Sequence, residues 1–191
     1  MLKDLILKNR SYRRFYQQEA IETRTLRELV DLARLSASAA NLQPLKYILI
    51  SNPKKNSQVF SHLKWAGYLR DWPGPQEGER PSAYIVILGD TRISKSFGCD
   101  HGIAAESILL GAVEKGLGGC IIGSVQRKGL GQALDIPSYY EILLVLALGR
   151  PKEEVVIEAV KDEDIKYWRD AEGRHHVPKR GLDEIMIKER L

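Results

Sequence analysis

The chain has 191 residues, of which 43% are apolar and 28% charged, and its formal net charge is +4 at pH 7. This length suffices for one sizeable core, and the composition is that of an ordinary soluble globular protein. The charge suits binding of a phosphorylated small molecule. It is modest for a nucleic-acid-binding protein, in which we would look for a dense basic stripe with interleaved aromatic residues.

Nothing in the sequence points to secretion or to a membrane. Two cysteines, Cys99 and Cys120, do not make a disulfide framework, and their role stays open. Asp4 interrupts the apolar N-terminus, unlike the core of a signal peptide. The longest apolar run, Ile142–Leu148, has the length of a buried strand rather than of a membrane span. We therefore expect a cytoplasmic protein.

The chain begins with a predicted short helix over 2–9, followed by the basic stretch Lys8–Phe15. Three arginines and Ser11 fall within five residues of this stretch. An arginine offers a planar fork of donors that fits phosphate or carboxylate, and a serine hydroxyl with nearby backbone N–H groups can complete an anion pocket. A solvated basic face is the simpler alternative.

The next segments alternate between helix and strand patterns. Thr25–Glu28 has the pattern of a capping box and predicts the start of a helix. The small, polar segment Leu35–Pro44 lets another surface approach its backbone closely, although a plain loop explains it equally well. We predict a strand over Lys46–Ser51 and a helix over about Ser57–Leu69.

A loop rich in proline and glycine is predicted over Asp71–Ser82, and its length suggests a functional lid. Trp65, Tyr68 and Trp72 cluster at its start. Packing in the core is the commoner fate of such aromatic residues, and a stacking surface beside a flat ligand is the sharper alternative.

The second half of the chain supplies the remaining elements of one compact unit. Asp100 is a plausible N-cap for a helix that ends at Lys115. The other predicted elements are strands over Ala83–Gly89, Cys120–Ile122 and Glu141–Leu148 and a short helix over Gln126–Leu134. The last forty residues are polar and poor in core material, and a tail that packs on a partner subunit would explain them. We expect a single domain over 1–191, with 151–191 as this C-terminal extension.

Several familiar catalytic and cofactor motifs are excluded. Gly116–Ile121 lacks the third glycine of the Rossmann fingerprint and precedes a strand instead of following one. The histidines and cysteines match no ordinary zinc spacing, so we expect no metal. Neither cysteine lies in a nucleophile signature.

Four motifs together resemble the nitroreductase family in their order and spacing over essentially the whole chain. They are Asn9–Phe15, Ser36–Pro44, Gly116–Ser124 and Leu148–Pro151. The resemblance implies an α+β fold, in which a mostly antiparallel sheet is flanked by helices in a three-layer sandwich. It also implies an intertwined homodimer with flavin mononucleotide (FMN) at the subunit interface, and no binding of nucleic acid or membrane.

The resemblance assigns cofactor-binding roles along the chain. Arg10 and Ser11 match positions at the flavin phosphate, and Arg13 matches the cation near the pyrimidine edge of the ring. Lys179 and Arg180 resemble a basic pair that closes on the phosphate. The remaining matches are Tyr12 in the first motif, Ala37, Ser38, Ala39 and Asn41 in a segment from the other subunit, and Ile122, Gly123 and Ser124 at the strand end that faces flavin N5.

The implied activity is hydride transfer from NAD(P)H through flavin N5 to nitroaromatic, quinone or similar acceptors by a ping-pong mechanism. No side chain is expected to be an essential acid or base, because the flavin carries the chemistry. Trp65, Tyr68 and Trp72 are expected to wall the substrate pocket. Specialised flavin chemistry, such as flavin fragmentation or reductive dehalogenation, and a non-catalytic flavin-binding protein are the alternatives. Asn9, Ala37 and Leu45 depart from common family residues, which puts substrate preference in doubt more than flavin binding.

Overall fold

The computed structural model describes residues 1–188. Its α-helices are Leu2–Lys8 (α1), Thr23–Leu35 (α2), Pro53–Phe60 (α3), Asp100–Glu114 (α4), Arg127–Ala133 (α5) and Leu182–Ile185 (α6), and Ala39–Asn41 forms a short 3-10 helix. Its strands are Leu45–Ile50 (β1), Ala83–Asp90 (β2), Gly118–Ile122 (β3), Tyr140–Gly149 (β4), Val155–Ala159 (β5), Trp168–Arg169 (β6) and His175–Lys179 (β7).

The main sheet has the strand order β1-β2-β4-β3, and every neighbouring pair is antiparallel. Strand β2 is buried along its whole length because both faces of the sheet are covered. Its alternate residues point to opposite faces, as the pleat requires. Ile85 and Ile87 join one core cluster, whereas Tyr84 and Val86 join the other.

Helices cover both faces of this sheet and make three layers. Helices α2 and α4 pack on one face, where Leu29 and Ile108 are fully buried in the first cluster. Helices α3 and α5 pack on the other face through Val59 and Leu130. The expected α+β sandwich with a mostly antiparallel sheet is therefore confirmed, while the intertwined homodimer stays a prediction.

Two predicted helix caps are wrong. Helix α2 begins at Thr23, before the proposed capping box at Thr25, and its N-cap Glu22 makes no side-chain cap hydrogen bond. Leu26 and Leu29 are buried residues of this helix. Helix α4 has Cys99 as its N-cap, because the Asp100 carboxylate is turned away to bind another segment.

Helix α3 begins four residues earlier and ends nine residues earlier than the predicted helix over Ser57–Leu69. The Asn52 side chain accepts hydrogen bonds from the N–H groups of Lys54 and Lys55, and Pro53 occupies the first turn. Both features favour a helix start at this point. Residues 61–82 contain no helix or named strand, which agrees with the predicted loop over Asp71–Ser82.

The C-terminal segment forms a second, three-stranded sheet with the order β5-β7-β6. Strand β5 pairs with β7 in parallel, and β6 pairs with β7 antiparallel. This sheet contacts the basic stretch of its own chain, where Arg14 donates to the Gly173 carbonyl over 2.7 Å. Packing of the extension on a partner subunit stays a prediction, and residues 189–191 of that extension lie outside the described residues.

Candidate functional site

Arg13 is a buried cation beside a cavity of about 320 Å³. Ile122, Gly123 and Ser124, at the end of β3, line the same cavity, and so does Trp65. The structure thus brings together groups from three segments that are far apart in sequence: the guanidinium of Arg13, the indole of Trp65, and a glycine-containing strand end with the buried thiol of Cys120.

Close backbone packing places the basic stretch alongside β3. The Tyr12 N–H donates to the Gly119 carbonyl over 3.0 Å, and Ser11 forms a parallel bridge with Gly119. A Cβ at Gly118 would lie 2.5 Å from the Tyr12 ring, so a larger residue would push the stretch away. Gly118, at the start of β3, therefore allows the basic stretch to lie close enough for Arg13 to reach the cavity.

Glu153 binds the backbone of the basic stretch through its side chain. Its side chain is fully buried and accepts hydrogen bonds from the N–H groups of Arg13 and Arg14. It also pairs with the Arg14 and Arg169 guanidinium groups over 3.4 and 3.0 Å. Several donors are needed to hold a carboxylate that has left water.

The Arg13 guanidinium itself is oriented by neutral groups. It donates to the Ser11 carbonyl over 3.2 Å and to His175 Nε2 over 2.9 Å, and it lies 4.7 Å from the centroid of the Tyr167 ring. Because arginine has no acceptor, His175 Nε2 must accept and its proton must be on Nδ1. Burial, followed by the charges of Arg13 and Arg169, lowers the pKa of His175 to about 4, so the ring is neutral at pH 7.

The other predicted residues of the first motif lie next to this site. The Arg10 side chain donates to the Ile6 carbonyl over 2.8 Å, yet its Nε is buried without a partner. Ser11 is exposed. The Tyr12 hydroxyl donates to the Lys8 carbonyl over 3.1 Å, and burial raises the pKa of Tyr12.

The predicted residues of the second motif form a separate group around Asp100. The buried Asp100 carboxylate accepts from the Ser38 hydroxyl over 2.7 Å and from the Ala39 N–H over 3.0 Å. Ala37 and Ser38 line a second cavity of about 200 Å³ with Asp100, and Asn41 is exposed. Among residues 1–188, no hydrogen bond joins this group to the group around Arg13.

Lys179 and Arg180 do not reach the Arg13 group within one chain. Lys179 is four residues beyond His175 on β7, which places it roughly 13 Å further along the strand. Both side chains are exposed, and Arg180 pairs with Glu184.

The three predicted aromatic residues lie along one side of the site. Trp65 lines the Arg13 cavity. Tyr68 packs on Tyr167 with a centroid separation of 4.9 Å, and Trp72 lies 4.2 Å under the Arg169 guanidinium. Tyr167 therefore links the loop aromatics to Arg13.

Four contributing residues, Glu153, Tyr167, Arg169 and His175, were missed by reasoning from the sequence. Glu153 and His175 are 140 and 162 positions from Arg13. Glutamate and histidine in a polar tail carry no local pattern, so the tail's fold was needed to find them. A weak signal was present in the isolated apolar and aromatic anchors of that tail.

The residues around Arg13 fit a phosphorylated planar ring. A buried guanidinium without a paired carboxylate faces a cavity, and an exposed strand end borders it. By contrast, no group of three or more His, Cys, Asp and Glu side chains within the described range could hold a metal ion. The fold and this site define an α+β sandwich protein with a positively charged pocket.

Comparison with known proteins identifies the family. The pattern of the Nitroreductase family matches residues 6–150, and the chain belongs to that family. An Archaeoglobus fulgidus protein, whose name proposes an NADH dehydrogenase/NAD(P)H nitroreductase, is 30% identical over 152 residues, which cover 74% of this chain and 80% of that protein.

Solved structures share the fold. A Nitroreductase Family Protein from Streptococcus pneumoniae TIGR4 superposes with a TM-score of 0.70 at 15% identity, covering 99% of this chain and 100% of that one. An FMN-dependent nitroreductase from Clostridium difficile R20291 gives a TM-score of 0.66 at 24% identity, covering 84% of this chain and 92% of that one. In residues 1–188, no helix is both long enough and apolar enough to span a bilayer.

Proposed function

We propose that this oxidoreductase is an FMN-dependent enzyme that takes hydride from NAD(P)H and passes it to nitroaromatic, quinone or similar acceptors. Membership of the nitroreductase family supports this proposal, as do the names of the Archaeoglobus fulgidus relative and of the FMN-dependent structural neighbour. One exposed flavin face would serve donor and acceptor in turn, which is a ping-pong mechanism.

The observation that carries the proposal is the state of Arg13. Its guanidinium is buried at a cavity, but its side-chain partners in the described chain are a carbonyl, a neutral imidazole and a tyrosine ring. The nearby carboxylate of Glu153 is committed to Arg14 and Arg169. A fixed cation whose charge is not neutralised stabilises an anion that binds or develops beside it.

When bound, FMN supplies the hydride chemistry at its N5 atom. Arg13 would then stabilise negative charge at the pyrimidine edge of the ring, and its imidazole and carbonyl contacts would keep it oriented. Gly123 would offer backbone N–H to N5, because it lies just beyond the ladder that ends at Ile122. Arg10 and Ser11 would hold the phosphate, with Tyr12 packed behind them.

The second group of predicted residues fits a homodimer with two interfacial sites. Ala37, Ser38, Ala39 and Asn41 lie apart from Arg13 in one chain, and we propose that they complete the site of the other chain. The exposed Lys179 and Arg180 would close on the phosphate, with the 151–191 extension packing on the partner. A cytoplasmic location is part of the same proposal.

The spectrum of the purified protein tests the cofactor. We expect a yellow protein whose flavin absorption is bleached by NADH or NADPH and restored by a quinone. Bound flavin that neither nicotinamide reduces would indicate a binding protein without turnover. Protein that takes up no added FMN would refute the proposal.

Arg13→Ala combined with Lys179→Ala tests the site. Loss of a charge-assisted contact at Arg13 alone predicts FMN binding weaker by about 10-fold to 100-fold, with the dimer preserved. Lys54→Ala combined with Lys128→Ala is the control, because it removes two exposed charges elsewhere. Equal FMN content in the two double variants would contradict the roles given to Arg13 and Lys179.

A further inference from the structure

We infer that Asp100 is a positioning residue of the FMN site: it holds residues 38–43 in the conformation that completes the site of the partner subunit. This role rests on the proposed function, in which Ser38, Ala39 and Asn41 act across the dimer interface. We call residues 38–43 the Asp100 loop. Asp100 does not contact the flavin in this proposal, but it fixes the backbone of the loop before the cofactor binds.

The Asp100 loop has a strained backbone. Ala40, Asn41 and Gln43 have φ angles of 48°, 53° and 50°. This left-handed region is unfavourable for residues that carry a Cβ atom, and of these three only asparagine tolerates it readily. Strain of this kind persists only where other contacts enforce it, and it is concentrated at functional sites.

Packing within the chain does not enforce this conformation. Residues 39–43 are all exposed, and Leu42 keeps 50% of its surface in contact with solvent. A loop that was shaped by the core of its own chain would bury such a side chain. The strained conformation must therefore be held by hydrogen bonds, and the outer surface of the loop is open to a second chain.

The Asp100 carboxylate makes the hydrogen bonds that hold the loop. One oxygen accepts from the Ser38 hydroxyl over 2.7 Å, and the other accepts from the Ala39 N–H over 3.0 Å. The Ser38 oxygen in turn accepts from the Gln43 N–H over 2.9 Å. Because the Gln43 N–H is a donor, the hydroxyl proton of Ser38 points to Asp100. One carboxylate thus ties the two ends of the loop together.

Helix α4 gives Asp100 a rigid base. Asp100 is 4% exposed and lies in the first turn of this 15-residue helix, where the helix N-terminus stabilises negative charge. A second contact lies two turns further along α4, where the hydroxyl oxygens of Ser36 and Ser107 are 2.7 Å apart. Ile108, on the same helix, is buried in the core cluster against the main sheet. The loop is therefore fixed relative to that sheet.

Capping of α4 does not account for Asp100. An acidic residue at the start of a helix commonly binds the N–H groups of its own first turn. Here the N-cap is Cys99, which makes no side-chain cap hydrogen bond. The partners of Asp100 lie 62 and 61 positions earlier in the chain, in the loop. The carboxylate is thus committed to the loop instead of to its own helix.

Amide hydrogen exchange of the flavin-free protein tests the positioning itself. In the wild type, the N–H groups of Ala39 and Gln43 should be protected by their hydrogen bonds. Asp100→Ala should lower this protection at least about tenfold. Glu114→Ala, which removes an exposed acid from the same helix, should leave it unchanged. Unchanged protection of Gln43 in Asp100→Ala would overturn the inference.

A mixed dimer tests the role at the flavin. Chains with Asp100→Ala and chains with Arg13→Ala are coexpressed with different affinity tags, and the dimer that contains one of each is isolated. In either homodimer every site is altered, so FMN binding should be weaker than in the wild type by at least about tenfold. In the mixed dimer, Arg13 of the Asp100→Ala chain meets an intact Asp100 loop from its partner. Fluorescence titration should therefore show one FMN bound per dimer with wild-type affinity.

The mixed dimer separates positioning across the interface from other roles. If the loop served Arg13 of its own chain, or if Asp100→Ala only damaged the fold, no site of wild-type affinity would form, and the inference would be overturned. Wild-type FMN affinity of the Asp100→Ala homodimer would also overturn it. If Asp100→Ala does not fold, Asp100→Asn takes its place in both experiments, because its amide keeps only one of the two acceptor oxygens. Wild-type protein that takes up no FMN would refute the proposed function as well, whereas FMN uptake without a restored site would refute the role of Asp100 alone.

Discussion

Replacing Glu153 is expected to loosen both the fold and the site. Glu153→Ala removes an acceptor for two backbone N–H groups and leaves the guanidinium groups of Arg14 and Arg169 without their carboxylate. Those side chains are 24% and 16% exposed, so water compensates them only in part. Breaking a buried ion pair on one side costs about 3–5 kcal/mol.

A thermal melt measures the loss of stability caused by Glu153→Ala. For a domain of this size, 1 kcal/mol corresponds to about 2–4 °C, so Glu153→Ala should lower Tm by about 6–20 °C. Glu153→Gln keeps the shape and one acceptor oxygen, and it should lose about 1.5–3 kcal/mol. The variants are compared at equal protein concentration and equal flavin saturation, because a bound ligand or partner also raises Tm.

Glu154→Ala is the matched control. Glu154 is adjacent but exposed, and its side chain makes none of these contacts, so its loss should change stability by no more than about 0.5 kcal/mol. Similar losses for Glu153→Ala and Glu154→Ala would refute the reasoning that a buried carboxylate secures the basic stretch. So would a Glu153→Ala variant with unchanged Tm.

Three further outcomes are expected. The pKa of His175 is about 4 in the fold against an ordinary 6.5. The stability that the neutral ring contributes is therefore present above pH 6.5 and is lost as the pH falls towards 4. Urea titrations at pH 7 and 4.5 should show that the wild type loses about 2–3 kcal/mol more than His175→Gln over this pH range. Gly89→Ala should cost about 1–3 kcal/mol, because a Cβ there would lie 2.3 Å from the Phe97 ring. Gly131→Ala, on α5 with no atom near the added methyl group, should instead raise the free energy of unfolding by about 0.5–1 kcal/mol, and a melt that ranks these two glycines in the opposite order would contradict the packing.

The strands of the main sheet could be predicted from the sequence, because each is marked by a local apolar run. The runs that predicted strands over Ala83–Gly89 and Glu141–Leu148 differ from β2 and β4 by at most one residue at either end. Such strands are buried on both faces, and a continuous apolar run records that burial directly. The same runs could not specify the order of the strands.

Helix ends were harder to predict from the sequence, because a side chain that could cap a helix can bind another group instead. The Asp100 carboxylate satisfies Ser38 and the Ala39 N–H instead of capping α4. At α3 a true signal, Asn52 followed by Pro53, was outweighed by apolar spacing further along the chain. Propensity yields to tertiary contacts at these positions.

The candidate site was predictable where its residues share a motif with known relatives and not elsewhere. Arg13 and Gly123 belong to such motifs, and the structure places them at one cavity. His175 was invisible because its contact with Arg13 depends on how the tail folds. That Ala37 and Ser38 approach the flavin of a second chain stays a prediction.

The long separation between Arg13 and its imidazole partner has a consequence for biosynthesis. His175 leaves the ribosome 162 residues after Arg13. A nascent chain can assemble the central sheet once β4 has emerged, but the arginine then still lacks the ring that orients it. Capture of the proposed FMN during translation is therefore expected late, and truncated chains that stop before β7 should form a core and yet hold FMN weakly.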